Sequence, residues 1–143
     1  MLDKELIRTK IELIQSDLEK LKELKGFTID EIAVDFYKLN TLELLLVKII
    51  GRAIDINSHI FAEEGDLKEK APASSRETFL KLGEMKILPE DFAKTIANSA
   101  SFRNKVIHEY NDLDEKKVYD TVDEALEQYI KYCQYILDYI KSK

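Results

Sequence analysis

Apolar residues recur every three or four positions along most of the chain, and this spacing predicts amphipathic helices. The first predicted helix runs from about Asp3 to Leu24 and ends at Lys25-Gly26. Thr28 and Glu31 have the spacing of a capping box, which predicts that a second helix starts directly afterwards. The apolar face of the first helix is Ile7, Ile11, Ile14, Leu18, Leu21 and Leu24.

The next run, residues 29–62, is apolar on nearly every side over its second half, which predicts a central helix contacted from several directions. Asn40 followed by Glu43 repeats the capping pattern weakly, so the run is either one kinked helix or two. His59 near its end is interpreted as a packed or capping residue, because a metal site needs several convergent donors.

Residues 63–73 are charged, show no apolar period and predict an exposed connection. Ser74 and Glu77 form another capping pattern, which opens a short helix to about Leu82, with Gly83 as its stop signal. We interpret the connection and the short helix together as a lid-like insertion.

Two longer helices complete the prediction. Pro89-Glu90-Asp91 opens a helix that extends to about residue 109, since proline followed by acidic residues is typical of a helix start. After a turn over residues 111–114, Asp114 is expected to cap the last helix and Leu113 to pack on Val118. The predicted buried stripe of that helix is Val118, Val122, Ala125, Tyr129, Cys133, Ile136 and Ile140.

The composition agrees with this helical pattern. The 143 residues are 45% apolar and 35% charged, with four glycines and two prolines, which favours helix over sheet and argues against disorder. The chain is therefore predicted to be all-α: a single domain over residues 1–143, built as an up-and-down bundle of four to five main helices plus a short helix. Its one cysteine, Cys133, lies on a buried stripe and is interpreted as a core residue.

Charge and the remaining sequence exclude several functions. A net charge of −6 argues against a general nucleic-acid coat, although a local basic pocket is compatible with it. The longest apolar stretch, residues 44–50, is far shorter than the roughly 20 residues that a membrane span needs. The first residues lack a secretory signal, so a cytoplasmic location without membrane contact is expected. Phosphate loops, zinc-type ligand spacings and nucleophile elbows are not found, so neither a metal nor a cofactor is expected.

The apolar pattern breaks between Ser101 and Tyr110. Arg103 falls on the apolar stripe of the predicted helix, which otherwise consists of Phe92, Ile96, Ser99 and Val106. A guanidinium that points toward a core must be paired or must reach water.

A second face of the same helix carries Asn104 and His108. The small residues Ala97, Ala100 and Ser101 near them leave space for a ligand or for another helix. Five residues advance an ideal helix by about 500°, so Arg103 and His108 lie about 140° apart. The long arginine side chain, fraying of the helix near Tyr110, or a second protomer across a two-fold axis must bring them together.

Arg103-Asn104 followed by His108 and Tyr110, late in a helix of an all-helical chain, resembles the motif of HepT-like toxins in the HEPN superfamily. That motif is Arg, four residues, His, any residue, Tyr. Three flanking features agree with this family: Phe102 before the arginine, the turn over residues 111–114, and Ala53-Ile54-Asp55-Ile56 before His59. The similarity therefore covers nearly the whole chain.

The resemblance implies a helical homodimer whose two motifs share one cleft, and a metal-independent endoribonuclease activity on RNA that acts as a toxin. It also implies an antitoxin partner, a minimal nucleotidyltransferase that silences the toxin by transferring AMP to the motif tyrosine. Carried over to this chain, Arg103 and His108 are the catalytic pair, Asn104 supports them and Tyr110 is the AMP-modified residue.

Other functions fit the same residues. The chain could instead be a non-catalytic helical partner or a nucleotide-binding subunit of a nucleotidyltransferase, or even the neutralising component of such a pair. In a purely structural interpretation, Arg103 pairs with a core carboxylate and His108 ends its helix near the negative C-terminal dipole.

Overall fold

The computed structural model describes residues 1–108 and 114–143, and within these ranges it contains six helices and no strand. The helices are α1 (Lys4–Lys25), α2 (Ile29–Ala33), α3 (Phe36–Glu64), α4 (Ser75–Glu84), α5 (Glu90–His108) and α6 (Glu115–Lys141). The all-α prediction is confirmed, with four long helices and two short ones. α3 lies at the centre, where it contacts each of the other five helices.

The predicted run 29–62 divides into two helices, and the break lies at Val34-Asp35. Asp35 caps α3, since its carboxylate accepts hydrogen bonds from the backbone N–H groups of Tyr37 and Lys38 at 3.0 and 3.2 Å. The cap predicted at Asn40 is wrong. Asn40 lies inside α3, where its Nδ2 donates to the carbonyl of Phe36 one turn earlier at 2.7 Å.

The other predicted helix starts are confirmed. Thr28 Oγ1 accepts from the Glu31 N–H at 3.2 Å, and the Glu31 carboxylate accepts from the Thr28 N–H at 3.0 Å, which completes the capping box. The same contacts lower the pKa of the Glu31 carboxyl. Asp114 caps α6 by accepting from the Lys116 N–H at 3.0 Å, whereas the contact predicted for Leu113 lies outside the described residues.

Gly83 does not end α4, so that prediction is wrong. The helix continues to Glu84 and turns at Lys86, whose φ is 62°. A Cβ atom on Gly83 would lie 2.8 Å from the Cβ of Ala93 on α5, which is too close for two carbon atoms. Glycine at this position therefore serves the close approach of two helices.

The interpretation of α4 as part of a lid is also wrong. Phe79 and Leu82 are both 0% exposed, so α4 is packed into the core. Thr78 extends this contact, because its hydroxyl accepts a hydrogen bond from Nδ2 of the buried Asn57 on α3 at 3.2 Å. One short apolar face is enough to insert a ten-residue helix between α3 and α5.

The stripe predicted for α6 is confirmed, because all seven of its residues are 3% exposed or less. Burial also raises the pKa of the Cys133 thiol to about 12, as expected for a core cysteine. Tyr132 was not predicted to be buried. Its hydroxyl bonds to Asn57 Oδ1 at 2.5 Å and to the Ala53 carbonyl at 3.1 Å, which ties α6 to the middle of α3.

His59 has the capping role that the sequence suggested, since its Nε2 accepts the backbone N–H of Asp3 at 3.0 Å at the start of α1. Among the helices in residues 1–108 and 114–143, none has the length and apolar character required to cross a membrane.

Candidate functional site

Arg103 lies on the inner face of α5, as its position on the apolar stripe predicted. Ile96 and Val106 on the same stripe are 0% and 6% exposed, and Arg103 itself is partly buried. Its guanidinium lies over α3 at Gly51, where a Cβ atom would be 3.4 Å from Nε and 3.6 Å from Nη2. A charged side chain is thus held against the central helix of the bundle.

The guanidinium of Arg103 has no ion pair within residues 1–108 and 114–143. Its Nε is buried and has no hydrogen-bond partner among these residues. The core carboxylate required by the purely structural interpretation is therefore not found there. A buried donor without a partner costs about 1–3 kcal/mol, so this arrangement needs another reason to exist.

Asn104 and His108 are exposed at the C-terminal end of α5. They continue a face of the helix that begins with buried alanines: Ala97 is 0% exposed and Ala100 is 1% exposed. The small residues on this face are expected to leave space for a ligand or for another helix. At the two alanines, the space is used for packing in the core. The same face is covered over its first half and open at its end, where the polar residues lie.

Within one copy of α5, the side chains of Arg103 and His108 are not directed to the same place. α5 is an unbroken α-helix through His108, so the separation of about 140° around its axis remains. The fraying predicted near Tyr110 concerns residues beyond the end of α5 at His108. Tyr110 and the turn over residues 111–113 lie outside the described residues.

A cleft of about 450 Å³ lies between α5 and α6, with Ile50 of α3 among its lining residues. Ser99 and Phe102, which line it, flank Arg103 on α5. The Ser99 hydroxyl shares a hydrogen bond of 2.6 Å with the hydroxyl of Tyr129, and burial raises the pKa of that phenol. An open, partly polar groove is therefore lined by close neighbours of Arg103 on α5.

A second cleft of about 270 Å³ continues this groove, because the two share Phe102, Thr121 and Glu124. Lys105 and Lys117 line it together with acidic residues, so its charge is mixed. Sequence patterns did not predict this groove. Its polar residues on α6 recur at helical spacing, which marks a face but does not identify the helix across from it.

The polar lining of the first cleft extends along both helices. It comprises Thr95, Asn98, Ser99, Thr121, Glu124 and Gln128. Residues 1–108 and 114–143 contain no group of three or more histidine, cysteine, aspartate or glutamate side chains that could hold a metal ion.

Comparison with known proteins shows similarity over nearly the whole chain. Residues 14–136 match a family described as Ribonuclease HepT-like. The chain is also 36% identical over 135 residues to tRNA nuclease HepT of Aphanizomenon flos-aquae (strain 2012/KM1/D3), a match that covers 94% of this chain and 90% of the relative.

Solved structures share the fold. A tri-AMPylated HEPN toxin of Shewanella oneidensis, in complex with MNT antitoxin, superposes with a TM-score of 0.83 at 22% identity, covering 95% of this chain and 99% of that one. YutE of Bacillus subtilis, a cytosolic protein of unknown function, superposes with a TM-score of 0.72 at 16% identity, covering 94% and 91% of the two chains. At these identities the likeness concerns the fold alone.

Proposed function

The chain belongs to the HepT-like ribonuclease family, and on that premise we propose that it is an endoribonuclease acting as the toxin of a toxin–antitoxin pair. The observation that carries the proposal is Arg103, a partly buried cation without an ion pair among the described residues, five residues before an exposed histidine. Because a relative at 36% identity is named a tRNA nuclease, tRNA is the first substrate to test.

The proposed reaction is an attack of the ribose 2′-OH on the adjacent phosphorus. The 2′-oxygen loses its proton, the bond from phosphorus to the 5′-oxygen breaks, and that leaving oxygen gains a proton, which leaves a 2′,3′-cyclic phosphate. His108 would carry out the proton transfer, since an imidazole accepts and donates protons near neutral pH. Arg103 would stabilise the charge on the phosphate oxygens through two parallel hydrogen bonds. The step uses no metal ion.

The site would form between two copies of the chain. A single α5 directs Arg103 and His108 about 140° apart, whereas in an isologous dimer whose two-fold axis passes beside α5 the arginine of one copy would face the histidine of the other. Asn104, exposed one turn before His108, would orient the imidazole or hold a phosphate oxygen. The homodimer is thus part of the proposed mechanism.

The proposed off-switch is AMP transfer to Tyr110 by a nucleotidyltransferase antitoxin. The sequence places Tyr110 two residues after His108. AMP on its hydroxyl would add negative charge and bulk at the entrance to an RNA site, which repels the phosphate backbone.

The first test is cleavage of total cellular RNA and of purified tRNA by the purified protein, with EDTA present. We expect cleavage in EDTA by the parent, and strongly reduced cleavage by Arg103→Ala and by His108→Ala. If both variants cut like the parent, the proposal fails; a protein without RNase activity that still binds a nucleotidyltransferase would support the non-catalytic alternative.

A second test asks whether the site is shared between protomers. Co-expression of Arg103→Ala with His108→Ala, under two affinity tags, yields mixed dimers that retain one intact arginine and one intact histidine on opposite copies. A shared site predicts restored cleavage in these dimers. The matched control pairs the parent with the double variant Arg103→Ala/His108→Ala, where a shared site predicts no cleavage; the reverse pattern would place both residues in one copy.

The third test addresses the switch. After co-expression with a nucleotidyltransferase antitoxin, we expect the intact mass of the chain to increase by one or more AMP groups, with Tyr110 as the modified residue. Tyr110→Phe should remain unmodified and should still cleave RNA in the presence of the partner. An unmodified Tyr110 in a silenced complex would instead favour steric masking.

A further inference from the structure

Gly51 lies in the middle of α3, directly beneath the side chain of Arg103. The three atoms nearest to a Cβ placed on Gly51 all belong to that guanidinium: Nε at 3.4 Å, Nη2 at 3.6 Å and Cζ at 3.9 Å. The space that a side chain at position 51 would use is therefore bordered by the arginine of α5.

The backbone itself does not require glycine at this position. None of the glycines in the described part of the chain has a positive φ, and Gly51 lies within a regular α-helix. Glycine inside a helix lowers its stability relative to alanine. Gly51 is partly buried, and its Cβ position faces α5, since the atoms of Arg103 lie nearest to it. The absence of a side chain is what remains to be explained.

We propose that Gly51 is a positioning residue for Arg103. The bare helix surface lets the guanidinium lie against α3 with its Nε turned inward, which leaves the terminal nitrogens to reach a phosphate. A side chain with atoms beyond Cβ would enter the space of the guanidinium and push it outward. This inference rests on the proposed function, because it concerns the direction of the arginine assigned to the phosphate.

A series of substitutions at position 51 tests the inference by RNA cleavage and thermal unfolding. Gly51→Leu should reduce kcat by about 10²-fold, since a displacement of about 1 Å at a reacting centre can have that effect. Gly51→Ala, whose methyl group reaches only contact distance, should reduce it by about threefold or less. Lys48→Leu, which places the same side chain on the exposed face of α3, should cleave like the parent.

A stability readout separates displacement from general damage. In the Arg103→Ala background, Gly51→Leu should raise the unfolding temperature, because leucine then fills the space that the guanidinium left. In the parent background it should not. The two substitutions should therefore be non-additive, as expected for residues in contact.

Failure of this inference differs from failure of the proposed function. If Arg103→Ala cleaves RNA at the parent's rate, the proposed function is wrong. If Arg103→Ala is inactive while a folded Gly51→Leu cleaves with the parent's kcat, the arginine is catalytic but Gly51 does not position it. Additive unfolding temperatures would also overturn the role of Gly51.

Discussion

Two arginines in this protein lie against neighbouring helices in very different surroundings. Arg52 on α3 donates from Nη1 to the carboxylate of Asp17 on α1, and to the carbonyl of Leu13 at 3.5 Å. Its side chain is 22% exposed and that of Asp17 is 8% exposed. Arg103 on α5 has no such partner among the described residues, although its Nε is buried.

The difference separates a structural cation from one that is available to a ligand. An arginine paired with a buried carboxylate joins two helices, and its charge is already neutralised. An arginine held without a counter-charge retains its full attraction for an anion, and the protein bears the cost of its incomplete hydrogen bonding. We infer that α1 and α3 use Arg52 for stability, whereas Arg103 is kept for a phosphate.

The largest expected effect is on catalysis. Arg103→Ala should lower RNA cleavage by about 10³-fold, which is the usual effect of removing a group that stabilises transition-state charge. Arg52→Ala should cleave within about twofold of the parent, when it is assayed at a temperature where both proteins are folded. Cleavage by Arg103→Ala at the parent's rate would contradict the proposed role of Arg103 in binding a phosphate.

The next largest effect is on stability, where Arg52→Ala should have a larger effect than Arg103→Ala. Arg52→Ala leaves the Asp17 carboxylate buried without its partner and should destabilise the protein by about 2–4 kcal/mol. Thermal unfolding should then occur about 5–12 °C lower. Arg103→Ala should change stability by about 1 kcal/mol or less, measured by urea denaturation. An equal loss in both variants would mean that Arg103 is also a structural residue.

A smaller effect is expected for a buried hydroxyl that is fully bonded. Tyr132→Phe removes the donor to Asn57 Oδ1 and to the Ala53 carbonyl, and should destabilise by about 1–2 kcal/mol. Urea denaturation with an unchanged m-value would check this. The result would show what a satisfied polar contact to α3 contributes, as a reference for the unsatisfied Nε of Arg103.

The smallest effect concerns Glu43 on α3, whose pKa is raised by burial and then by the nearby charge of Glu115. A carboxyl with a raised pKa in the folded state binds its proton more tightly there, so stability falls as pH rises through its pKa and the penalty is complete at neutral pH. Glu43→Gln should therefore raise the unfolding temperature by about 1–2 °C at neutral pH. The difference should disappear by about pH 3, where both forms are uncharged. If the two proteins still differ in unfolding temperature at low pH, the difference comes from packing and not from the charge of Glu43.

Local sequence patterns determined most of the helical framework. Apolar spacing marked the buried face of α6, and the capping box at Thr28 and Glu31 marked the start of α2, because both depend only on residues within a few positions of each other. The same patterns placed Arg103 on an inward-facing stripe. These features are local, so a single sequence is enough to predict them.

Features that depend on a distant partner could not be predicted in this way. Gly83 looks like a helix stop until Ala93 is seen 2.8 Å from where its Cβ would lie. The short helix α4 looks like part of a lid until Phe79 is seen in the core. In both cases, periodicity reports which face is buried but not which element covers it.

The motif shows the same division. The sequence by itself indicated which residues are proposed to carry the chemistry, and its spacing separates Arg103 from His108 around the axis of one helix. Only the tertiary structure decided that Arg52 is paired with Asp17 while Arg103 lies over Gly51 with its Nε unbonded, because these contacts join residues that are 35 and 52 positions apart in the chain. Residue type and spacing are properties of a short segment, whereas the counter-charge of a buried cation depends on how the helices pack.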